Sequence, residues 1–296
     1  MLHDVLMTPK TAGFTYHSKQ GEFNRCPIEI DLFSPLHFLK VIAMRPIDFS
    51  QTFISKHIVI TALILIATNS LIGQNAVFIS ANDAKRKMPL SEAVQAQCGG
   101  VSVCVKLTDE GKLECAGKSF EQTYLKPAMK MEFNANAFIL VLEFEGDSLK
   151  MLGALDKLLA SYSDLLSKQV GKEEVSGKLK IYVWGDVPHG QISKVEYRSY
   201  FPLSILDDEG ARGRSSAAAL GLNFDALYDW KGRESMPNMQ YHSMQMNLKA
   251  AHKAGQKTFM FEAPETFNAW NILSNAGTDY FVVKDLEKFK KYLTLE

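Results

Sequence analysis

The sequence lacks most of the short motifs and repeats from which a function can be assigned directly. It has no glycine-rich loop that could cradle a phosphate, no Cys-x-x-Cys pair and no internal repeat. Its 33 basic and 33 acidic residues give a formal net charge of zero, so there is no global electrostatic attraction to nucleic acid. An apolar fraction of 46% over 296 residues argues against disorder and allows one large domain.

The N-terminal region also lacks an apolar run of the roughly 20 residues that a membrane span needs. Its apolar run covers residues 58–67, with Arg45 and Lys56 before it and small or polar residues after it. This layout is typical of a secretory signal peptide, the alternatives being a buried core helix or an uncleaved anchor. We therefore expect cleavage within residues 68–76, export to the periplasm or the extracellular space, and no stable membrane span in the mature chain.

A signal peptide normally begins near the start of translation, yet 56 residues precede residue 57. Met44 opens a normal positively charged leader, so residues 44–74 are interpreted as the signal peptide. Residues 1–43 show no clear amphipathic period and are expected to be a non-native or disordered extension. The folded domain is then expected to cover residues 75–296.

Export would place three cysteines in an oxidising compartment, where pairs of thiols form disulfides. A turn signal at residues 108–111 separates two strand-like stretches. A tight turn centred on Asp109 and Glu110 would set Cys104 opposite Cys115. A disulfide between them and two small buried residues are both compatible with the pattern, and Cys98 has no partner in either case.

From residue 75 onward, strand-like stretches alternate with helix-like ones. The expected strands are residues 75–82, 99–107, 137–146, 177–186, 202–210, 222–230, 256–265 and 278–285. The expected helices include residues 89–97, 147–171, 215–221, 238–255 and 266–277. This order predicts a single α/β domain, a (β/α)₈ TIM barrel, with an open doubly wound sheet as the alternative. The open sheet normally has a glycine-rich first turn, and none follows the first strand.

In such a barrel the active site lies at the carboxyl ends of the strands. The polar residues at those ends are mostly acidic, and could bind a hard cation or a cationic ligand. They could equally be solvated loop residues. The candidate pocket residues are Asn82, Asp83, Lys106, Glu143, Glu145, Asp186, His189, Asp208, Asp225 and Glu262.

The last third of the chain resembles a known family. The stretch "AHKAGQKTFMFEAPETFNAWNILSNAGTDYFVVKDLEKFKKYL", residues 251–293, is similar to the end of barrel phosphodiesterases. These form the phosphatidylinositol-specific phospholipase C-like and glycerophosphodiester phosphodiesterase superfamily. "YDWKGRESMP", residues 228–237, is similar to a stretch in one secreted bacterial subgroup. The resemblance extends over residues 76–293 and is weak in the middle.

The resemblance implies catalytic positions at the front of the chain, and this sequence departs from them. The family's first strand carries two histidines, where Ile79 and Ala81 stand here. Its second strand carries a Glu-x-Asp pair that holds a metal, where Ser102 and Cys104 stand here. A later histidine of the family matches Ala116, and an acid of its third strand matches Glu143.

Phosphodiester hydrolysis needs a base, an acid and positive charge on the phosphoryl oxygens. The substitutions therefore favour a non-catalytic binding or scaffold protein with no metal and no cofactor, whose ligand is an unknown small molecule or a phosphodiester-like compound. Glu143 alone is not expected to hold a divalent ion, since such ions want about six oxygen ligands.

Two other hypotheses stay open. One is an active phosphoric diester hydrolase for glycerophosphodiesters or phospholipid head groups, with Ca²⁺ or Mg²⁺ and relocated acid–base residues such as His189. The other is thiol chemistry at Cys104, which has no visible base partner and is weighed against a buried thiol. His242 and His252 fall in an expected helix, as surface or packing residues.

Overall fold

The computed structural model describes residues 77–81, 86–133, 137–192, 194–211 and 214–294. The expected extension (residues 1–43), the expected signal peptide (residues 44–74), Asn82 and Asp83 lie outside the described residues. Among the residues that are described, no helix is long and apolar enough to cross a membrane.

Eight parallel strands form a closed barrel. Each strand pairs with the next, and the first strand also pairs with the last, so the sheet has no open end. The predicted (β/α)₈ architecture is confirmed, and the open doubly wound sheet is excluded. The strands are β1 (Val77–Ala81), β2 (Gly100–Leu107), β3 (Phe138–Glu145), β4 (Leu179–Gly185), β5 (Phe201–Asp207), β6 (Ala219–Asn223), β7 (Lys257–Phe261) and β8 (Tyr280–Val283).

Helices lie between these strands on the outside of the barrel. Several start at residues that satisfy free backbone N–H groups: Asp147, Thr266 and Asp285 each accept a hydrogen bond from the first helical turn. The helices are α1 (Pro89–Gln95), α2 (Lys126–Lys130, directly after a π-helical turn Glu121–Leu125), α3 (Ser148–Ala160), α4 (His189–Ile192), α5 (Phe224–Leu227), α6 (Asn238–Lys253), α7 (Phe267–Asn275) and α8 (Leu286–Leu293).

The alternation of side chains along each strand divides the apolar residues into two cores. Val101, Val103 and Val105 of β2 point outward and pack in the layer between the sheet and the helices. A second cluster fills the inside of the barrel, where Ile79 lies with large rings such as Phe259 and Tyr182. Side chains therefore fill the interior of the barrel, as expected for eight strands.

Two expectations about secondary structure were wrong. The helix expected over residues 147–171 ends at Ala160, and a small antiparallel sheet follows it. That sheet consists of Lys168–Val170, Glu173–Val175 and Tyr197–Arg198.

The sixth strand is Ala219–Asn223 and not residues 222–230, and it covers the end of the helix expected at residues 215–221. Its small residues follow from crowding inside the barrel. A Cβ on Gly221 would come within 2.5 Å of Ile205 Cδ1 and 2.7 Å of Phe261 Cε2. Alanine and glycine make this stretch look unlike a strand, yet only small side chains fit there.

The end of the barrel where the strands begin is held by a buried anion. The Asp279 side chain is 9% exposed and lies 2.7 Å from Lys257 Nζ and 2.8 Å from His252 Nε2. The Thr258 backbone N–H and hydroxyl also donate to it, at 2.9 and 2.8 Å. Burial alone would raise the pKa of Asp279, but these donors outweigh it and lower the pKa below its ordinary value. One carboxylate thus ties the start of β7 to the start of β8.

Candidate functional site at the barrel mouth

The polar face of β2 opens onto the mouth, the end of the barrel where the strands finish. Ser102 is the Cα partner of Ala81 on β1, and Cys104 and Lys106 are the partners of Glu143 and Glu145 on β3. Because neighbouring strands run in register, side chains from three strands meet there. Strand β2 therefore has one face in the outer core and the other in the candidate site.

The five substituted positions do not all lie in the same layer of the barrel. Ala81, Ser102 and Cys104 lie side by side at the mouth. Ile79 is fully buried one layer deeper, in the packed interior. Ala116 is exposed at a two-residue turn with Gly117, both at positive φ, between the short strands Leu113–Cys115 and Lys118–Ser119. Of these five positions, Ile79 is thus enclosed in the packed interior, and Ala116 stands on the hairpin that follows β2.

The Cys104–Cys115 pairing is also wrong. The hairpin pairs Lys106 with Glu114 and Leu107 with Leu113, so its centre is Glu110 instead of the bond between residues 109 and 110. The loop is therefore one residue longer than expected, and Gly111 adopts a positive φ within it. A shift of one residue moves a side chain to the opposite face of a strand. Cys104 accordingly points into the exposed mouth, Cys115 is buried in the outer core, and both are free thiols.

The Cys104 thiol is held in its protonated form by its acidic neighbours. Its Sγ donates to Glu145 Oε2 at 3.3 Å. Burial, this hydrogen bond and the nearby Glu143 raise the pKa of Cys104 to about 11. Since the thiolate is the nucleophilic form, this environment opposes thiol catalysis at neutral pH.

Glu143 is the half-buried acid of the mouth. Burial, and after it the negative charges of Glu145 and Glu262, raise its pKa above the ordinary value. The ring of Trp184 lies 5.8 Å from that of Phe261, and Trp184 is the Cα partner of Glu143. Strand β4 thus places an aromatic residue on the strand next to Glu143.

Other acids around the mouth are engaged by lysines or by backbone N–H groups. Lys284 pairs with Glu262, while Lys106 pairs with Glu114 at 3.5 Å. Glu265 accepts the backbone N–H groups of Lys284 and Asp285, which fastens the end of β7 to the end of β8. These acids are therefore engaged in structural contacts and are not an open set of cation ligands.

The remaining candidates do not converge on this group. Asp186 and Asp208 are exposed, and Asp225 is exposed and paired with Lys231 at 2.7 Å. His189 is 8% exposed, and burial lowers its pKa, so the ring is held neutral. No carboxylate among the described residues bonds to it, and its Nδ1 atom is buried without a partner there.

The residues present do not fit the divalent metal that the resemblance implies. Within the described ranges, no three His, Cys, Asp or Glu side chains are arranged to hold an ion. The second-strand positions offer a hydroxyl at Ser102 and a protonated thiol at Cys104, whereas Ca²⁺ and Mg²⁺ prefer carboxylate and carbonyl oxygens.

Sequence reasoning missed two contributors. Trp184 could have been found, because it continues the inward alternation of Lys180 and Tyr182 on β4. Arg86 could not, because its role depends on a fold contact: its Nη1 atom donates to Ser80 Oγ at 3.2 Å, and Lys118 Nζ donates to its carbonyl at 3.1 Å.

Arg86 also lines a groove of about 470 Å³ beside the mouth, between α1 and α8. Three cations and three acids share this groove, so its charge is balanced. Its lining residues are Arg86, Glu92, Gln95, Lys284, Asp285, Leu286, Glu287 and Lys290.

Replacing Glu143 by glutamine is expected to stabilise the chain at pH 7 and not at pH 4. The unfolded chain ionises this carboxyl near its ordinary pKa, about 4.3, whereas the folded chain resists ionisation. Stability is therefore lost as the pH rises through the interval between the two values, and glutamine avoids that loss. Melting temperatures at both pH values test this. Glu110→Gln is a control of opposite sign, because Lys112 lowers the pKa of Glu110. Equal effects of Glu143→Gln at pH 4 and pH 7 would contradict the assignment.

No protein-family profile and no curated protein matches this sequence. Among solved structures, a glycerophosphodiester phosphodiesterase from Parabacteroides distasonis is similar, with 12% identity, a TM-score of 0.50, and 75% of this chain and 98% of that chain covered. An Oleispira antarctica phosphodiesterase in complex with sn-glycerol-3-phosphate has 12% identity, a TM-score of 0.47, and 74% and 96% covered. A tryptophan synthase α-subunit from Pyrococcus furiosus has 9% identity, a TM-score of 0.48, and 75% and 96% covered. At 12% identity, the likeness to the Parabacteroides distasonis structure shows the fold alone.

Proposed function

We propose that this chain is a phosphodiesterase-like barrel that binds a ligand without hydrolysing it. One observation carries the proposal: Cys104, at a position where the resembling enzymes hold a metal-binding acid, is a protonated thiol that donates a hydrogen bond to Glu145. The mouth strands β1 and β2 present Ala81 and Ser102 beside it, and neither is a general acid or base at neutral pH. Phosphodiester hydrolysis of the family's type would need an acid, a base and metal ligands from other residues.

The balanced charge of the groove beside the mouth supports a ligand that carries both signs. Arg86, Lys284 and Lys290 suit an anionic phosphodiester, to which Lys284 would turn from Glu262 and Lys290 from Glu287. Glu92, Asp285 and Glu287 suit an ammonium group. A glycerophosphodiester with a cationic head group has both. A purely anionic phosphate would meet three carboxylates in the same groove.

The purified chain is expected to bind glycerophosphocholine and to release no product from it, or from phosphoinositides, with either Ca²⁺ or Mg²⁺. Binding is followed by NMR and turnover by product release. Metal-stimulated turnover that disappears on Glu143→Gln would overturn the proposal. So would turnover that disappears on His189→Ala, because the acid–base role would then have moved to the exit of β4.

A gain-of-function variant sharpens this test. Ser102→Glu combined with Cys104→Asp restores two carboxylates on the mouth face of β2, next to Glu143. We expect calorimetry to detect Ca²⁺ or Mg²⁺ binding that the parent chain lacks. Adding Glu143→Gln to that double variant should weaken the new binding. Equal metal affinity in parent and double variant would mean that ligand loss at β2 is not what separates this chain from the enzymes.

We further propose that the protein is exported, on the basis of Arg45, Lys56 and the apolar run at residues 58–67. N-terminal sequencing of the exported protein is expected to find a first residue between 69 and 77. A secreted chain that still begins at Met1 or Met44 would contradict cleavage.

A further inference from the structure

Helix α6 carries an unusual outer face. Met239 is 87% exposed and Met246 is 57% exposed, although methionine is among the residues most often buried. The packing of this helix does not need them, since Met244, Leu248 and Ala251 form its buried side. Two thioethers therefore stand in solvent without a structural reason.

His242 lies between these two methionines on the same face. The helix turns by about 100° and rises about 1.5 Å per residue, so residues 239, 242 and 246 fall within a narrow stripe about 10 Å long. Residues three and four apart have Cβ atoms about 5–6 Å from each other, which puts the imidazole within reach of both thioethers. The three flexible bonds of each methionine allow the sulfur atoms to converge on the ring.

The His242 ring has no competing partner among the described residues, neither a hydrogen bond nor an ion pair. The other histidine of this helix differs, because His252 is bound to Asp279 at 2.8 Å. The ring nitrogens of His242 are thus available to a ligand.

We propose that Met239, His242 and Met246 form a surface site for a soft monovalent metal cation, Cu(I) in particular. Thioether sulfur and imidazole nitrogen are the donors that select Cu(I), whereas Mg²⁺ and Ca²⁺ require oxygen. The site is separate from the mouth and independent of the proposed ligand-binding function. Lys249, one turn beyond Met246, lowers the affinity for a cation without removing a donor.

The probe is Ag(I), a soft cation that needs no reductant, added to the full chain. Methionines are labelled with ¹³C at the methyl group, so that each thioether reports separately. Cys104, whose thiol is exposed, and Cys26, which lies outside the described residues, are replaced by serine, because a thiol would compete for the metal. One equivalent of Ag(I) is expected to shift the Met239 and Met246 methyl signals together.

Met239→Leu, Met246→Leu and His242→Asn should each lower the affinity at least about tenfold, since loss of even an outer partner of a metal ligand costs about 10–100-fold. Met88→Leu and Met129→Leu are matched controls: both methionines are exposed, at 58% and 60%, and neither has a histidine three or four residues away. The proposal fails if all four methyl signals shift alike, or if His242→Asn leaves the shifts unchanged. Circular dichroism confirms that these surface variants fold.

Discussion

Replacing Asp279 by alanine is expected to lower the free energy of unfolding by about 2–5 kcal/mol, because each buried hydrogen-bond donor left without its acceptor costs about 1–3 kcal/mol. The substitution leaves Lys257 without its counter-ion and leaves two Thr258 donors unpaired at the start of β7. Urea unfolding at pH 7 measures the loss, and the slope of the transition shows whether the unfolded state has changed as well.

Asp225→Ala is the matched control. Its carboxylate also lies 2.7 Å from a lysine, Lys231, but both side chains are about two-thirds exposed. Solvent screens that pair, so its removal should leave the free energy of unfolding nearly unchanged. Similar losses for Asp225→Ala and Asp279→Ala would show that burial does not set the strength of the pair. If Asp279→Ala does not fold, Asp279→Asn keeps the shape and gives a smaller loss that can be measured.

The contribution of Asp279 should also depend on pH. Because its pKa is lowered in the folded chain, the stabilisation is present above the unfolded value, about 3.9, and is lost as the pH falls through the folded value. The difference between the parent chain and Asp279→Asn should therefore shrink under acid conditions. A difference that stays constant from pH 7 down to pH 2 would contradict the assignment.

The second large effect is expected from Trp270→Ala, which should lower the free energy of unfolding by about 3–5 kcal/mol. Trp270 is 1% exposed, and its ring contacts those of Phe78, Phe289 and Tyr292 at 5.2–6.1 Å. It therefore holds α7 and α8 against β1, the strand that leads into the mouth. Removing the indole leaves a cavity that the surrounding rings can fill only in part.

Phe267→Ala is the control for that substitution. Its ring lies 6.2 Å from that of Trp270, in the same helix, but it is 41% exposed. The loss should be clearly smaller, because much of the ring is already in water. Denaturant unfolding of both variants decides the matter, and equal losses would mean that the Trp270 ring is not the centre of this cluster.

Much of the fold could be predicted from the sequence, because alternating apolar strands and capped helices repeat the barrel unit along the chain. The failures have local causes. Ala219 and Gly221 are small because large rings fill the interior, and small residues weaken a strand pattern. The helix after Asp147 ends at Ala160, although the sequence has no proline there to stop it. The chain instead goes on to form the small antiparallel sheet that starts at Lys168.

The candidate site was predictable in outline only. The mouth face of β2 follows from alternation, so Ser102 and Cys104 were placed there correctly. The Cys104–Cys115 error came from a single loop residue, because turn length sets the register and sequence does not fix turn length. The contact between Arg86 and Ser80 depends on how α1 meets β1, which no local pattern encodes.

Closure of the barrel between β1 and β8 has a consequence for how the protein is made. One edge of β1 pairs with β2, but its other edge pairs with β8, with Val77 aligned with Tyr280. On the ribosome, that second edge of β1 stays unpaired until residues 280–283 have been synthesised. Such contacts between distant parts of a chain slow folding, and an unpaired edge invites aggregation in the meantime. A chain cut short before residue 280 would leave one edge of β1 and one edge of β7 unpaired, so such a truncated chain is expected to aggregate.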